Sequence, residues 1–144
     1  RQVEAVMFVP YGCMVDEFQH EVYDHPEMSP RERKEVWKKL EKVYRPHLDY
    51  AGLPFFEKGA FWQKQHHIYS FPLYYIDYVI AQLCAFEYKA WMDRDYKAAW
   101  KSYLKLCRMS ASKFHTELLK EAGIDSPFAD GTIRKIVENL EKEV

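Results

Sequence analysis

The sequence of 144 residues has little glycine and no runs of β-branched residues. Five glycines occur, and apolar residues recur at the spacing of helical turns. A sheet protein needs turn residues and β-branched runs, so the pattern predicts an all-α chain arranged as a multi-helix bundle. Because no internal repeat, low-complexity tract or linker divides the sequence, residues 1–144 are predicted to form a single helical domain.

The sequence also lacks an excess of either charge and any long apolar run. Its 21 basic and 22 acidic residues give a formal net charge of -1. This balance leaves no basic surface for nucleic acid or for an anionic membrane, so neither is an expected partner. No apolar run reaches the roughly 18 residues of a membrane-spanning helix, and a soluble protein is expected.

Cysteine is scarce as well. The three cysteines, Cys13, Cys84 and Cys107, are far apart, odd in number and never in a C-x-x-C spacing. This usage is typical of reduced thiols and favours a cytoplasmic location. The first residue is Arg1 and no signal peptide precedes the first helical pattern, so we expect that the chain was cut from a longer one.

Proline and capping residues divide the helical pattern. Pro26 ends the first helix, because the residue before a proline avoids the helical region. The sequence SPRE at 29–32 combines an N-cap, a proline at the first helical position and a capping-box glutamate, which together predict a helix start. Residues 47–59 are expected to form an irregular loop. The predicted helices cover residues 3–24, 30–45, 60–69, 73–92, 95–107 and 112–121, and a last one follows residue 131.

Two further details of the later helices are predicted. Helical spacing places Trp100, Tyr103 and Leu104 on the inner side of the helix over 95–107. Gly123 is expected to end the next helix in a left-handed cap, a position that glycine occupies at low cost. The helix over 73–92 is aromatic and largely uncharged, which predicts that it is buried on most sides.

One stretch, DEFQHEVYDH at residues 16–25, comes close to a zinc-binding helix but has the wrong spacing. A helical zinc site needs H-E-x-x-H, with the histidines four residues apart on one side of the helix. Here His20 and His25 are five residues apart, about 140° around the axis, and cannot share an ion. Glu17-x-x-His20 is the single pair of its kind, whereas a di-metal bundle needs two such pairs and two more glutamates. No metal ligand is therefore predicted in this chain.

An apolar stripe along the first predicted helix consists of Tyr11, Val15, Phe18 and Val22. Asp16 and His20 lie four residues apart on the opposite, polar side of this helix. At this spacing a carboxylate can orient an imidazole and favour its charged form. We interpret the two residues as a structural pair on a helix face, with a role in lining a cleft as the alternative.

The sequence HHIYSFPLYYIDYVIAQLCAFEYK, residues 66–89, concentrates aromatic side chains that can form hydrogen bonds. On a continuous helix four hydrogen-bonding side chains share an arc of roughly 100°, namely Tyr74, Tyr75, Tyr78 and Gln82. Aliphatic residues occupy the far side of that helix. One face is therefore polar and aromatic, as in the lining of a cleft.

Two histidines precede this face. His66 and His67 end the preceding predicted helix, and the break at Pro72 is expected to fold them back towards the tyrosines. Imidazole and phenol groups are good donors to the oxyanion that develops in acyl transfer. The alternative is a buried helix whose tyrosines form hydrogen bonds with the backbone.

The strings VPYGCMVDEFQHEVYDHP, FWQKQHHIY and PLYYIDYVIAQLCAFEYK resemble the C-terminal part of oligoendopeptidase F-type enzymes, in the wider thimet oligopeptidase family of zinc metallopeptidases. The resemblance extends over about residues 8–136, and the blocks occur in the same order with similar gaps. It implies the C-terminal portion of a larger, mostly helical zincin-type peptidase. It also implies that the full-length enzyme holds zinc through upstream residues, the histidines of H-E-x-x-H and a later glutamate, and that this fragment binds none.

On matching positions the resemblance implies roles for individual residues. His67, Tyr75 and Tyr78 are expected to be catalytic and to stabilise the tetrahedral intermediate, with His66 in place of His67 if the register shifts by one. The residues expected to bind substrate are His66, Tyr74 and Gln82. Leu73 stands where relatives often carry an aromatic residue.

The predicted function is that of the substrate-binding and transition-state-stabilising part of a zinc-dependent oligoendopeptidase that hydrolyses short peptides. The fragment alone is expected to be inactive. Its expected partners are short peptide substrates and the remainder of the parent chain, and an apolar surface left bare by the missing part predicts self-association. The alternative is a non-catalytic helical interaction or packing domain.

Overall fold

The computed structural model of the chain describes residues 2–110 and 112–141. Within these residues the regular structure is helical and no strand occurs, which confirms the predicted all-α class. The helices are α1 (Gln2–Asp24), α2 (Pro30–Tyr44), α3 (Pro54–Glu57), α4 (His67–Ser70), α5 (Ile76–Arg94), α6 (Tyr96–Met109), α7 (His115–Ala122) and α8 (Thr132–Glu141), with a 3₁₀ turn at Phe61–Lys64.

Two compact units divide the chain, Arg1–Val79 and Ile80–Val144, and their boundary falls within α5. The single helical domain over residues 1–144 stays a prediction, and its residues 1, 111 and 142–144 lie outside the described part. None of the helices within that part is long and apolar enough to cross a membrane.

The core of the first unit forms between α1 and α2. The predicted apolar stripe of α1 is confirmed, because Val15 and Phe18 are fully buried and Val22 nearly so. The Phe18 ring meets the buried Trp37 ring of α2 edge to face, with centroids 5.1 Å apart. Such aromatic pairs add about 0.5–1.5 kcal/mol to the free energy gained by burial. This contact fixes α1, on which several residues of the candidate site depend.

The start of α2 follows the predicted capping box. The Ser29 backbone N–H donates to Glu32 Oε2 at 2.7 Å, and the Glu32 N–H donates to Ser29 Oγ at 3.3 Å. Pro30 occupies the first helical position, where its missing N–H has no cost. Local sequence is sufficient to begin this helix.

The segment before the candidate site differs from the prediction. Residues 47–59 include the single-turn helix α3, and residues 60–69 form a 3₁₀ turn and the single-turn α4 instead of one helix. Trp62 and Ile68 are both buried in the same core. Six residues apart on a straight helix they would lie about 120° apart. The chain therefore breaks at Gln65, which has the extended conformation φ -81°, ψ 93°.

The start of α5 also differs from the prediction. The helix begins at Ile76, so Tyr74 and Tyr75 precede it, and Leu73 has a left-handed conformation with φ 56°. The expectation of a helix buried on most sides is wrong for its first turn, because Tyr78 is 42% exposed. The assumption of one continuous helix from residue 73 is therefore wrong as well.

In the second unit, a small core joins α7 to the later turns of α5. Its members are Cys84, Tyr88, Leu119, Ala122 and Ile124. Gly123 ends α7 with φ 80°, and its N–H donates to the Leu119 carbonyl at 2.9 Å, as predicted for a left-handed cap.

Helix α6 turns a different side inward from the one predicted. Trp100 and Tyr103 are exposed and Leu104 is half-buried, whereas Ala99 and Ser102 are buried. The Ser102 hydroxyl donates to the Ala122 carbonyl and lies 3.1 Å from the Tyr88 hydroxyl. Because Ala99 and Ser102 are small, the α6 backbone can approach α7 closely. This close packing, and not the apolar pattern of the sequence, determines which face of α6 is buried.

Candidate functional site

Four aromatic side chains that the sequence singled out meet in the first unit. We call His67, Tyr74, Tyr75 and Tyr78 the His–Tyr cluster. The His67 ring lies 4.8 Å from the Tyr75 ring and 5.6 Å from the Tyr78 ring, centroid to centroid. Tyr78 also contacts Tyr75 at 5.6 Å and Tyr74 at 5.4 Å. The imidazole therefore lies beside two phenols, as expected from the sequence.

The cluster is assembled by a turn, not by the arc of one helix on which the sequence argument relied. His67 is the first residue of α4, Tyr78 lies in the first turn of α5, and Tyr75 lies in the connection between them. The left-handed conformation of Leu73 reverses the chain within this connection. The break near Pro72 was predicted, but the residue that adopts the unusual conformation was not.

A buried glutamine holds this turn. Gln19 on α1 is fully buried, and its Oε1 accepts a hydrogen bond from the Leu73 N–H at 3.0 Å. A left-handed conformation is unfavourable for a residue with a Cβ atom, so it needs such a contact to persist. Gln19 lies four residues after Val15 within the apolar stripe, and a polar residue in that position was the signal that sequence analysis missed.

The α4 turn has its own anchor to α1. The Tyr23 hydroxyl donates to the Ile68 carbonyl at 2.6 Å, and the Ile68 side chain is buried in the core. Since His67 directly precedes Ile68, this hydrogen bond and this burial hold the backbone that carries the imidazole. Exposed loops lack such restraint.

Gln65 connects α1 to the cluster and was also missed. Its Oε1 accepts from the Tyr11 hydroxyl at 2.7 Å, and its Nε2 lies 2.8 Å from His67 Nδ1. The Tyr11 ring packs edge to face on Tyr75 with centroids 6.0 Å apart. Gln65 has no periodic or motif signal in the sequence, so only the fold identifies it.

The environment keeps the tyrosines in the form that donates hydrogen bonds. Burial, and then the neighbouring Tyr78, raise the pKa of Tyr75, while a hydrogen bond with Gln65 partly opposes the shift. Partial desolvation and the neighbouring Tyr74 raise the pKa of Tyr78. Phenols already ionise near pH 10, so both hydroxyls hold their protons at neutral pH.

Two residues expected to bind substrate lie outside the cluster as defined. His66 is exposed, and its ring contacts Phe71 with centroids 6.1 Å apart. Gln82 is half-buried and belongs to the second unit, on α5. Of the two histidines, His67 is the one whose ring contacts Tyr75 and Tyr78. The roles of all six candidate residues stay predictions.

Asp16 and His20 form the pair expected on α1. Asp16 Oδ2 lies 3.5 Å from His20 Nε2, and the imidazole is well exposed. Burial raises the pKa of Asp16, and His20 opposes that shift. Two side chains are too few for a metal site, and no group of three potential ligands occurs among residues 2–110 and 112–141.

The arrangement can supply directed hydrogen bonds to a bound oxygen. None of the hydroxyls of Tyr74, Tyr75 and Tyr78 donates to a main-chain carbonyl within the described part of the chain. The Tyr78 hydroxyl interacts with the Tyr74 side chain, and phenol groups that are held by no main-chain carbonyl can turn towards a ligand. Donors of this kind stabilise an oxygen that gains negative charge during a reaction.

Three solved structures are similar to the chain. One is an X-ray structure of a protein assigned as an oligoendopeptidase F, with 49% identity and a TM-score of 0.94. A second is PZ peptidase A with an inhibitor, with 47% identity and a TM-score of 0.94. A third, a protein assigned as an oligoendopeptidase F from Bacillus anthracis, has 36% identity and a TM-score of 0.78.

The matches cover nearly all of this chain but only a part of each solved chain. Each covers 97% of this chain, whereas the chain spans only 25%, 25% and 22% of the three solved chains. No protein-family model and no curated protein matches the sequence.

Proposed function

Because the chain belongs to the oligoendopeptidase F family, in which it corresponds to a C-terminal part, we propose that its His–Tyr cluster stabilises the transition state of peptide hydrolysis. The observation that carries this proposal is the contact of the His67 ring with both Tyr75 and Tyr78. Their protons face no main-chain carbonyl within the described residues. The cluster therefore forms one side of a substrate site that the rest of the parent peptidase completes.

The chemistry assigned to this chain is hydrogen bonding to the reacting peptide. When water attacks the carbonyl carbon, the carbonyl oxygen gains negative charge. The Nε2–H of His67 and the hydroxyls of Tyr75 and Tyr78 donate to that oxygen or to its neighbours in the bound peptide. Fixed donors gain more in the transition state than in the ground state, which is the condition for a higher rate.

The proposal includes a zinc ion, which residues outside this chain would bind. The described residues do not fit a metal, since they contain no group of three potential ligands. We assign the zinc ion to upstream residues of the parent peptidase. The role of the His–Tyr cluster involves only its own protons.

Binding of substrate is assigned to the residues around the donors. Tyr74 is 46% exposed and contacts Tyr78, so it is placed to contact the peptide backbone. His66 in the first unit is assigned a substrate-binding role, and Gln82 in the second unit is assigned the same role separately. The substrates are short peptides, and the parent peptidase is cytoplasmic, in keeping with its separate cysteine thiols.

The isolated chain is proposed to be inactive and to associate with itself. Tyr96 and Trp100 on α6 are 61% and 42% exposed, and their rings are stacked with centroids 6.2 Å apart. An exposed apolar surface of this kind is normally covered by another part of a protein. The same surface supports the second candidate function, a helical packing domain without chemistry of its own.

The test is Tyr78→Phe in the full-length parent peptidase. The ring contacts remain and the proton is lost, so we expect kcat to fall about 10²-fold with little change in KM, the usual effect of removing one oxyanion donor. Zinc content should be unchanged. The matched control is Tyr96→Phe, at another exposed tyrosine, with kcat as in the wild type. Equal turnover of Tyr78→Phe and Tyr96→Phe would favour the packing domain.

A further inference from the structure

The position of the His67 proton follows from its contact with Gln65. Gln65 Oε1 accepts from the Tyr11 hydroxyl at 2.7 Å, which turns the amide NH₂ towards His67. Gln65 Nε2 then lies 2.8 Å from His67 Nδ1. An amide NH₂ has no lone pair to offer, so it donates and Nδ1 accepts. In a neutral imidazole the single proton is then on Nε2.

The opposite orientation of the Gln65 amide is less favourable. It would place the NH₂ group against the Tyr11 oxygen, and the Tyr11 proton would have no other acceptor among the described residues. Tyr11 is half-buried, and a buried donor without a partner costs about 1–3 kcal/mol. The Tyr11 hydroxyl therefore selects the orientation of the amide.

Tyr11 is itself firmly held. Its ring packs edge to face on Phe61 with centroids 6.2 Å apart, and the Arg45 guanidinium lies 5.1 Å above the ring. Burial, and then the neighbouring Tyr75, raise the pKa of Tyr11 far above its ordinary value. The hydroxyl thus keeps its proton at neutral pH, and Gln65 Oε1 accepts from it.

We propose that Gln65 is a positioning residue of the peptidase, which sets the Nε2–H tautomer of His67 so that this imidazole donates to the peptide oxygen. This inference rests on the proposed function, because it assumes that His67 contacts the substrate. The inference adds Gln65, which itself contacts no substrate, and Tyr11, which orients the Gln65 amide. Tyr11 donates to Gln65, and Gln65 donates to His67 Nδ1. The Nε2–H of His67 is then left to donate to the substrate.

The principal experiment uses Gln65→Glu in the full-length peptidase. A carboxylate has the shape of the amide but only accepts, so it draws the His67 proton to Nδ1 and leaves Nε2 without one in the neutral ring. We expect kcat to fall about 10²-fold with KM little changed, as for the loss of one donor.

The matched control is Gln63→Glu, an exposed glutamine two residues earlier in the 3₁₀ turn. It adds the same charge without the hydrogen bonds of Gln65, and kcat and its pH profile should match the wild type. A fall in kcat equal to that of Gln65→Glu would mean that the added charge is the cause, and would overturn the inference.

The tautomer itself is read by ¹⁵N NMR of the peptidase labelled at histidine, with the His67 signals assigned by their loss in His67→Ala. We expect a protonated Nε2 and an unprotonated Nδ1 in the wild type, and the reverse in Gln65→Glu. If Gln65→Glu does not fold, Gln65→Met should give a mixture of the two tautomers. A single Nε2–H tautomer in Gln65→Met, or in Gln65→Glu, would overturn the inference.

The two proposals fail in different ways. If His67→Ala lowers kcat while Gln65→Glu leaves both kcat and the tautomer unchanged, the role of Gln65 is wrong and the proposed function stands. If the tautomer reverses in Gln65→Glu but His67→Ala keeps wild-type kcat, His67 is not a catalytic donor, and both proposals are wrong.

Discussion

The backbone N–H of Leu73 donates to the side-chain Oε1 of Gln19, 54 residues earlier in the chain and 3.0 Å away. Gln19 is fully buried on α1. Among residues 2–110 and 112–141, Leu73 is the single non-glycine residue with a positive φ. One amide thus holds the turn from which Tyr74 and Tyr75 follow. The geometry of the His–Tyr cluster depends on this contact between distant parts of the first unit.

Replacement of Gln19 tests the contact. In Gln19→Met the side chain keeps its approximate volume but cannot accept, and the Leu73 N–H loses its partner. We expect the free energy of unfolding to fall by about 1–3 kcal/mol, measured by urea denaturation. The control Gln63→Met, at an exposed position, should change it by less than about 0.5 kcal/mol. Similar values for the two variants would mean that Gln19 does not stabilise the turn.

Gly12 tests how closely α1 approaches the first turn of α5. A Cβ atom at this position would collide with Val79 Cγ2, and the Val79 side chain is buried. We therefore expect Gly12→Ala to lower the free energy of unfolding by about 1–3 kcal/mol, the usual cost of overpacking.

A double variant separates overpacking from other effects of Gly12→Ala. Val79→Ala removes the methyl group that would collide, so Gly12→Ala should cost less in that background than in the wild type. Thermal or urea denaturation of the four proteins gives the comparison. Additive costs would contradict the close approach of the two side-chain positions.

The pKa shifts of the tyrosines predict a pH dependence. Because partial desolvation and Tyr74 raise the pKa of Tyr78 above its ordinary value, its proton persists as the pH rises, and the donor is lost only at high pH. The ratio of kcat for the wild type to kcat for Tyr78→Phe should therefore stay constant from about pH 6 to about pH 9. A ratio that declines towards one between about pH 8 and 9 would contradict this environment for Tyr78.

The cysteines of the second unit should react differently with alkylating reagents. Burial, and then Glu87, raise the pKa of Cys84 to about 11, whereas Cys107 is exposed. The thiolate is the nucleophile. At pH 8 the thiolate fraction of Cys84 is about 10²-fold smaller than that of an ordinary cysteine. Iodoacetamide followed by mass spectrometry should modify Cys107 first and Cys84 only on unfolding. Equal rates under native conditions would contradict the burial of Cys84.

Local sequence predicted those features that have local causes. The capping box of Ser29 and Glu32, the cap at Gly123 and the apolar stripe of α1 each depend on residues within one or two turns. The resemblance indicated the family and the roles expected of individual residues. The proximity of His67 to Tyr75 and Tyr78 was expected from both.

What escaped prediction has distant causes. The break at Gln65 arises because Trp62 and Ile68 are buried in one core, and the left-handed Leu73 persists through an acceptor on another helix. No local signal marks a leucine for such a conformation. The inner face of α6 was predicted incorrectly because the close packing of Ser102 outweighs the burial of larger aromatic rings.

The most direct measurement is a crystal structure of the parent peptidase with a phosphinic peptide, whose tetrahedral phosphorus imitates the attacked carbonyl. We expect His67 Nε2 and the Tyr78 hydroxyl each to lie within about 3 Å of a phosphinyl oxygen or a neighbouring peptide oxygen. Both groups more than about 5 Å from the inhibitor, with the Tyr78 hydroxyl bonded to protein alone, would contradict the role of the His–Tyr cluster in catalysis.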